Sequence, residues 1–232
     1  MNRTALLALL FIGFSGCATP PAEPPQASLD TGPEGLVGVS SGRVDQLYVR
    51  PGSDIAGYRK VLLDPVTVEL NGDWVKQRHG SNYRIQPVYP RSKAPEEVSR
   101  ETATAVSASL ARAFRASGFE IVETPANDVM RVSAKVADLF INAPDIVSPG
   151  YTKNATREAG DAYLSLDARD SVNGKALAKV QHHAIARETP RGNVANDPAN
   201  TLWMEALFQR WADNCATEIS LAQRDAHASL NR

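Results

Sequence analysis

One hairpin constrains this chain more than any other stretch. Residues 162–169 and 177–185 both alternate apolar with polar side chains, and Asn173-Gly174 lies between them. A two-residue Asn173-Gly174 turn would pair Leu164 with His183, Leu166 with Gln181 and Ala168 with Lys179, mixing the faces. A three-residue loop, Val172-Asn173-Gly174, with Gly174 in the left-handed region, shifts the pairing by one. Leu164 then meets His182, Leu166 meets Val180 and Ala168 meets Ala178. On the other face Tyr163 meets His183, Ser165 meets Gln181 and Asp167 meets Lys179. A one-residue slip turns every side chain over, so the coherent register is the expected one.

The chain on either side supplies the partners for this hairpin. Tyr58 to Leu70 is rich in β-branched and apolar residues and reads as a strand. Pro65 cannot donate to a ladder and marks an edge, a bulge or a strand end. Val44 to Val49 precedes it, closed by a Pro51-Gly52 break. Asn71 to Arg91 is turn-rich, carries Trp74, His79 and Tyr83, and reads as mostly loop.

Pro95 suits a first helical turn, where Glu96 and Glu97 complement the dipole. Thr102, Ala103, Val106, Leu110, Ala113 and Phe114 then share one helical face, and Gly118 is the expected stop. Phe119 to Val122 is a short strand, and Pro125 to Asp128 a turn. From Val129 to Ile141 the residues Met130, Val132, Ala134 and Val136 line one face of a strand. That pattern slips at residues 137–140, as a bulge or a strand end would make it do. A long loop, 142–160, and another, 187–198, flank the hairpin. A last helix starts at Asp197-Pro198 and buries Met204, Leu207, Phe208, Trp211, Cys215, Ile219 and Ala222.

This order predicts an α+β fold: one mixed, mainly antiparallel sheet with two helices packed on one face. Residues 58–70 and 119–122 are joined through a helix, so they are expected to run parallel.

The N-terminus decides location. Met1 to Thr4 carries one positive side chain, and Ala5 to Phe14 is apolar without a break. A run of about ten residues is a secretory signal, too short for the roughly 20 that span a bilayer. Phe14-Ser15-Gly16-Cys17 resembles a bacterial lipobox, with Phe14 in place of the usual Leu. The resemblance implies cleavage before Cys17 and acylation of its thiol and new amine with palmitate-type chains. Several such chains anchor a protein stably. Ala18, by resemblance to bacterial sorting, implies the outer membrane.

The expected divisions are a signal peptide at 1–16, a lipidated Cys17 with a flexible linker over 17–42, and a single α+β domain at 43–232. The linker is Pro-rich and extended in its first half, where about 3.1 Å per residue lifts the domain tens of ångströms from the lipid. The sequence has 25 basic and 26 acidic residues, and processing removes only Arg3 among them. A net charge near zero leaves no electrostatic footprint for nucleic acid. With Cys17 acylated, Cys215 has no disulfide partner and belongs in the core.

The chemical motifs are sparse. His182 and His183 are neighbours on a strand and point to opposite faces, so they cannot share one metal ion. His182 reads as a core-edge histidine with a hydrogen-bond partner. Asp167, Asp170, Asn173 and Gly174 faintly suggest a calcium loop, but the ligand positions would fall on Arg169, Ser171 and Asn173, and the pattern fails. No cofactor or metal is expected. Asn154-Ala155-Thr156 matches a glycosylation sequon, which a bacterial lipobox makes irrelevant. No G-x-S-x-G, H-E-x-x-H, P-loop or G-x-G-x-x-G occurs.

Leu47-Tyr48-Val49-Arg50-Pro51-Gly52 followed by Tyr58-Arg59-Lys60-Val61-Leu62-Leu63-Asp64-Pro65-Val66 resembles a bacterial lipoprotein family, domain of unknown function 3313. The resemblance implies a small envelope lipoprotein and carries over no catalytic residues. The expected function is therefore an outer-membrane-anchored, periplasm-facing lipoprotein, acting as a non-enzymatic binding or envelope-assembly module. Its membrane contact is the lipid on Cys17, and its partner another envelope protein. The alternative is a tethered envelope hydrolase, with a site on the long loops 71–91, 142–160 and 187–198.

Overall fold

The hairpin takes the register in which its two faces agree. β7 (Glu158–Asp170) and β8 (Ala176–Arg187) pair Leu164 with His182, Leu166 with Val180 and Ala168 with Ala178. The route round the turn differs from the expected one. Asp170 N–H donates to Lys175 O and Gly174 N–H to Asp170 O, so four residues, Ser171 to Gly174, form the loop. A bulge at Leu177 takes up the extra residue and restores the pairing. The cause is Asp170, whose Oδ1 accepts from the N–H groups of Val172 and Asn173, each at 2.8 Å. Gly174 has φ +72°, as expected.

The computed structural model describes residues 32–52, 55–80, 93–141, 158–187 and 197–230. The remaining strands are β1 (Val37–Val39), β2 (Gln46–Val49), β3 (Lys60–Leu63), β4 (Thr67–Leu70), β5 (Glu120–Val122) and β6 (Val129–Ile141). They form one open sheet in the order β1-β2-β8-β7-β6-β3-β5, with β4 beside β6. Pairing is parallel where β3 meets β5 and β6 and where β4 meets β6, and antiparallel elsewhere.

β3 and β4 lie end to end along β6, interrupted at Asp64-Pro65-Val66. Asp64 N–H makes a last bond to Val132 O, and Pro65 has no N–H to continue. The pattern slip in β6 is a bulge, with Asp138 at φ +53°. Beside it Gly160 is required by space. A Cβ there would stand 2.3 Å from Phe140 O.

Among the described residues three α-helices accompany the sheet: α1 (Gly72–Gly80), α2 (Pro95–Ala116) and α3 (Asp197–Leu230). α2 and α3 pack against each other and against the apolar side of the sheet. Val106, Leu110 and Phe114 of α2 are fully buried, as are Trp211, Cys215 and Ile219 of α3. Truncating a side chain such as Leu110 to Ala costs about 2–5 kcal/mol. The opposite side of the sheet is polar and carries ion pairs such as Lys135–Glu69 at 2.7 Å and Lys179–Asp167 at 3.6 Å. Exposed pairs of this kind contribute little and keep that face solvated.

Two expectations are corrected. Residues 71–80 are not loop. Asn71 Oδ1 accepts from the N–H groups of Asp73 and Trp74, capping α1, and Trp74 is buried with its Nε1 donating to Ile141 O at 2.8 Å. Residues 33–41, assigned to the linker 17–42, belong to the fold. Leu36 is buried, β1 pairs with β2, and Arg169 bridges Glu34 at 2.6 Å. Leu36 is buried and Val37 half-buried, burial that the surrounding Pro and Gly conceal.

Candidate functional site

Glu218, Leu221, Ala222, Asp225 and Ala226 of α3 recur at helical spacing and form one stripe. Leu47 and Val49 alternate onto the helix-facing side of β2, opposite Val180 and Ala178. The stripe stands off from β2 and from edge strand β1, and Ile55 closes the floor. The result is a groove of about 570 Å³ lined by Val39, Leu47, Val49, Ile55, Leu221 and Ala222 on its apolar side. That volume falls within the range of small-molecule sites.

Polar groups gather at one place on its wall. Glu218 is only 5% exposed. Its Oε1 accepts from Ser41 Oγ at 2.9 Å and from an Arg43 guanidinium nitrogen at 3.2 Å. Ser41 Oγ in turn accepts from the N–H groups of Arg43 and Val44, and Asn214 Nδ2 donates to Arg43 O at 3.0 Å. The loop 40–45 is thereby strapped to α3. Its other end is held on β8, where Asp45 Oδ2 accepts from His183 N–H at 2.7 Å. That backbone bond is the main reason the Asp45 carboxyl lies below the usual range, with His182 adding to it.

His182 and His183 face opposite sides of β8. His183 stacks on Tyr163 with ring centroids 4.4 Å apart, and its Nε2 lies 3.3 Å from Asp161 Oδ2. His182 Nδ1 lies 3.2 Å from Asp45 Oδ2 but is misaligned for a hydrogen bond, so it is a buried nitrogen without one. The partner expected for His182 is therefore near but not bonded. Among the described residues, no three His, Cys, Asp or Glu side chains gather closely enough to hold a metal ion. Asp170, the acid of the faint calcium pattern, is occupied as a turn cap and by Tyr58 Oη at 2.7 Å. Those bonds, Asn173 N–H first, hold its carboxyl below the usual range.

Cys215 is fully buried, and burial first and Glu218 second push its thiol well above the ordinary range. It is an inert thiol. The long loops of the alternative reading fall mostly outside the described residues, at 81–92, 142–157 and 188–196. A second, more apolar groove of about 450 Å³ lies between α2 and α3, lined by Val98, Ala105, Ile141, Met204 and Phe208. Lys93 and Glu101 pair at 2.7 Å on its rim. Phe14, Ser15, Gly16 and Cys17 also lie outside the described residues. No described helix is long and apolar enough to cross a membrane.

Sequence reasoning missed the groove's polar corner. Ser41 falls in the expected linker, and Glu218 sits at the flank of an apolar stripe defined by Cys215, Ile219 and Ala222. The available signal was Glu218's helical position, one residue before Ile219 and three after Cys215, which puts an acid on the buried side.

A family model described as Protein of unknown function (DUF3313) matches residues 33–215. No curated protein matches the chain. Among solved structures, the chain is similar to the PelC dodecamer from Paraburkholderia phytofirmans, with 12% identity and a TM-score of 0.38, over 72% of this chain and 95% of that one. It is similar to a minor lipoprotein from Acinetobacter baumannii, with 10% identity and a TM-score of 0.34, over 71% and 94%. The rare lipoprotein B from Shewanella oneidensis matches with 12% identity and a TM-score of 0.30, over 73% and 100%.

Proposed function

The chain belongs to the family described as Protein of unknown function (DUF3313), and from that premise we propose a lipid-anchored protein of the bacterial envelope whose domain binds a ligand or partner rather than catalysing a reaction. The anchor is Cys17, in a lipobox-like Phe14-Ser15-Gly16-Cys17 after an apolar run too short to span a bilayer. Ala18 directs the lipidated chain to the outer membrane, with the domain facing the periplasm.

The observation that carries the binding role is the groove between β2 and α3: a preformed apolar wall beside one buried, strapped carboxylate. Its polar groups point to recognition. The Ser41 hydroxyl donates to Glu218 while its oxygen accepts two backbone N–H groups, so its donor and both lone pairs are engaged in holding the turn.

The test is complementation of a deletion strain, scored as sensitivity to bile salts and large antibiotics. Wild-type chain should restore resistance and co-fractionate with outer-membrane markers. Ala222→Leu, which fills the groove from an incompletely buried position, should reach the same abundance and fail to restore it. Full complementation by Ala222→Leu would remove the groove from the account.

A further inference from the structure

Taking the groove as the binding site proposed above, we propose that its ligand carries a primary amine on an apolar body, with the ammonium donating to Glu218 Oε2. Both donors to Glu218, Ser41 Oγ and Arg43, reach Oε1. Among the described residues nothing donates to Oε2. Among the described residues, the sealed side-chain polar atoms without partners are His182 Nδ1, Gln209 Oε1, Trp211 Nε1 and Ser220 Oγ. Oε2 is not among them, so it is open to solvent, and Glu218 lines the groove.

The charges around that oxygen are unequally screened. The Glu218 side chain is 7% exposed, whereas that of Arg43 is 49% exposed. Water therefore damps the guanidinium far more than the acid. Asp225 follows two helical turns along the same stripe, but it is exposed and its charge is damped by water as that of Arg43 is. Arg50, the other basic lining residue, donates from Nε and a terminal nitrogen to the carbonyls of Ala176 and Glu34.

A carboxylate or phosphate on the ligand would set a second anion beside the buried Glu218 carboxylate, which is costly. A hydroxyl would satisfy Oε2 with a neutral donor only. An ammonium makes a charge-assisted hydrogen bond, about twice as strong as a neutral one. Leu47, Ile55, Leu221 and Ala222 then hold the hydrocarbon part.

The experiment uses the full chain in lipid nanodiscs with labelled Val, Leu and Ile methyl groups, read by NMR. The probes are cyclohexylmethylamine, cyclohexylmethanol and cyclohexanecarboxylate, which share one body. The amine should shift the methyls of Leu47, Ile55 and Leu221 and bind about tenfold more tightly than either other probe. Glu218→Gln should erase that preference, while Asp225→Asn should keep most of it. Arg43→Gln, which leaves the acid in place, should strengthen amine binding several-fold, and it decides the matter if Glu218→Gln does not fold. Equal or tighter binding of the alcohol or carboxylate, or weaker amine binding in Arg43→Gln, overturns the proposal while leaving the groove as a site. If no probe moves those methyls in the folded wild type, the groove itself is not a binding site, and the proposed function fails with it.

Discussion

The Ser41 hydroxyl donates to Glu218 Oε1 over 2.9 Å and joins two residues 177 positions apart in the chain. The same hydroxyl oxygen accepts the N–H groups of Arg43 and Val44. One side chain thus turns the backbone into β2 and ties that turn to α3. Ser41→Ala should lower stability by about 1–3 kcal/mol, because it removes the donor to a buried carboxylate and strips two backbone groups of their acceptor. Urea denaturation measures this. A loss within the noise of a surface substitution, about 0.5 kcal/mol, would show that the strap is idle.

Two glycines separate backbone strain from crowding. Gly174 has φ +72° and open space where a Cβ would go, so Gly174→Val should cost about 1–2 kcal/mol through conformation alone. Asn173→Ala, which loses the side-chain acceptor of Lys175 N–H, should cost less, about 0.5–1.5 kcal/mol. Gly160→Ala should be worse than either, since the new Cβ meets Phe140 O at 2.3 Å. A milder effect at residue 160 than at 174 would contradict the packing described for the β6 bulge.

Asp167 and Lys179 face each other across the hairpin at 3.6 Å. Reversing either charge should cost a few tenths of a kcal/mol, and reversing both should recover most of it, since exposed cross-strand pairs contribute about 0.2–1 kcal/mol. A double reversal no better than the single ones would show that the pair does not couple.

Much of the fold was legible because faces had to match. The hairpin register followed from placing Leu164, Leu166 and Ala168 on one side, and the burial of Cys215 from its place in an apolar stripe. The turn was legible only in outline: the sequence shows Gly174, but the choice of four residues over three depends on how Asp170 bonds in three dimensions. α1 was hidden because Gly72 and Gly80 bracket a polar segment, and its anchor, Trp74 on Ile141 O, is a tertiary contact. The groove was less legible still. Nothing local places Glu218 against Ser41, and the Pro- and Gly-rich surroundings of Leu36 to Val39 read as linker.

Asp170 should make stability depend on pH. Its folded-state carboxyl titrates below the ordinary range, so its contribution is fully present above the unfolded value, about 3.9, and is lost as pH falls through the lower folded value. Thermal melts from pH 6 downward should show wild type losing its advantage over Asp170→Asn below about pH 4. A constant gap between the two proteins across that range would contradict this role for the carboxylate.

Cys215 should react slowly with a maleimide in the native protein and rapidly in denaturant, since it is fully buried and its thiol is held protonated. Fast native labelling would mean that α3 leaves the sheet.

Lipid anchoring at Cys17 is read out by the intact mass of the chain extracted from its own membranes. The expected product is a polypeptide beginning at Cys17, with residues 1–16 absent and the mass of three acyl chains added to that cysteine, and no mature product from Cys17→Ser. A chain retaining Met1, or one beginning elsewhere with an unmodified Cys17, would contradict it.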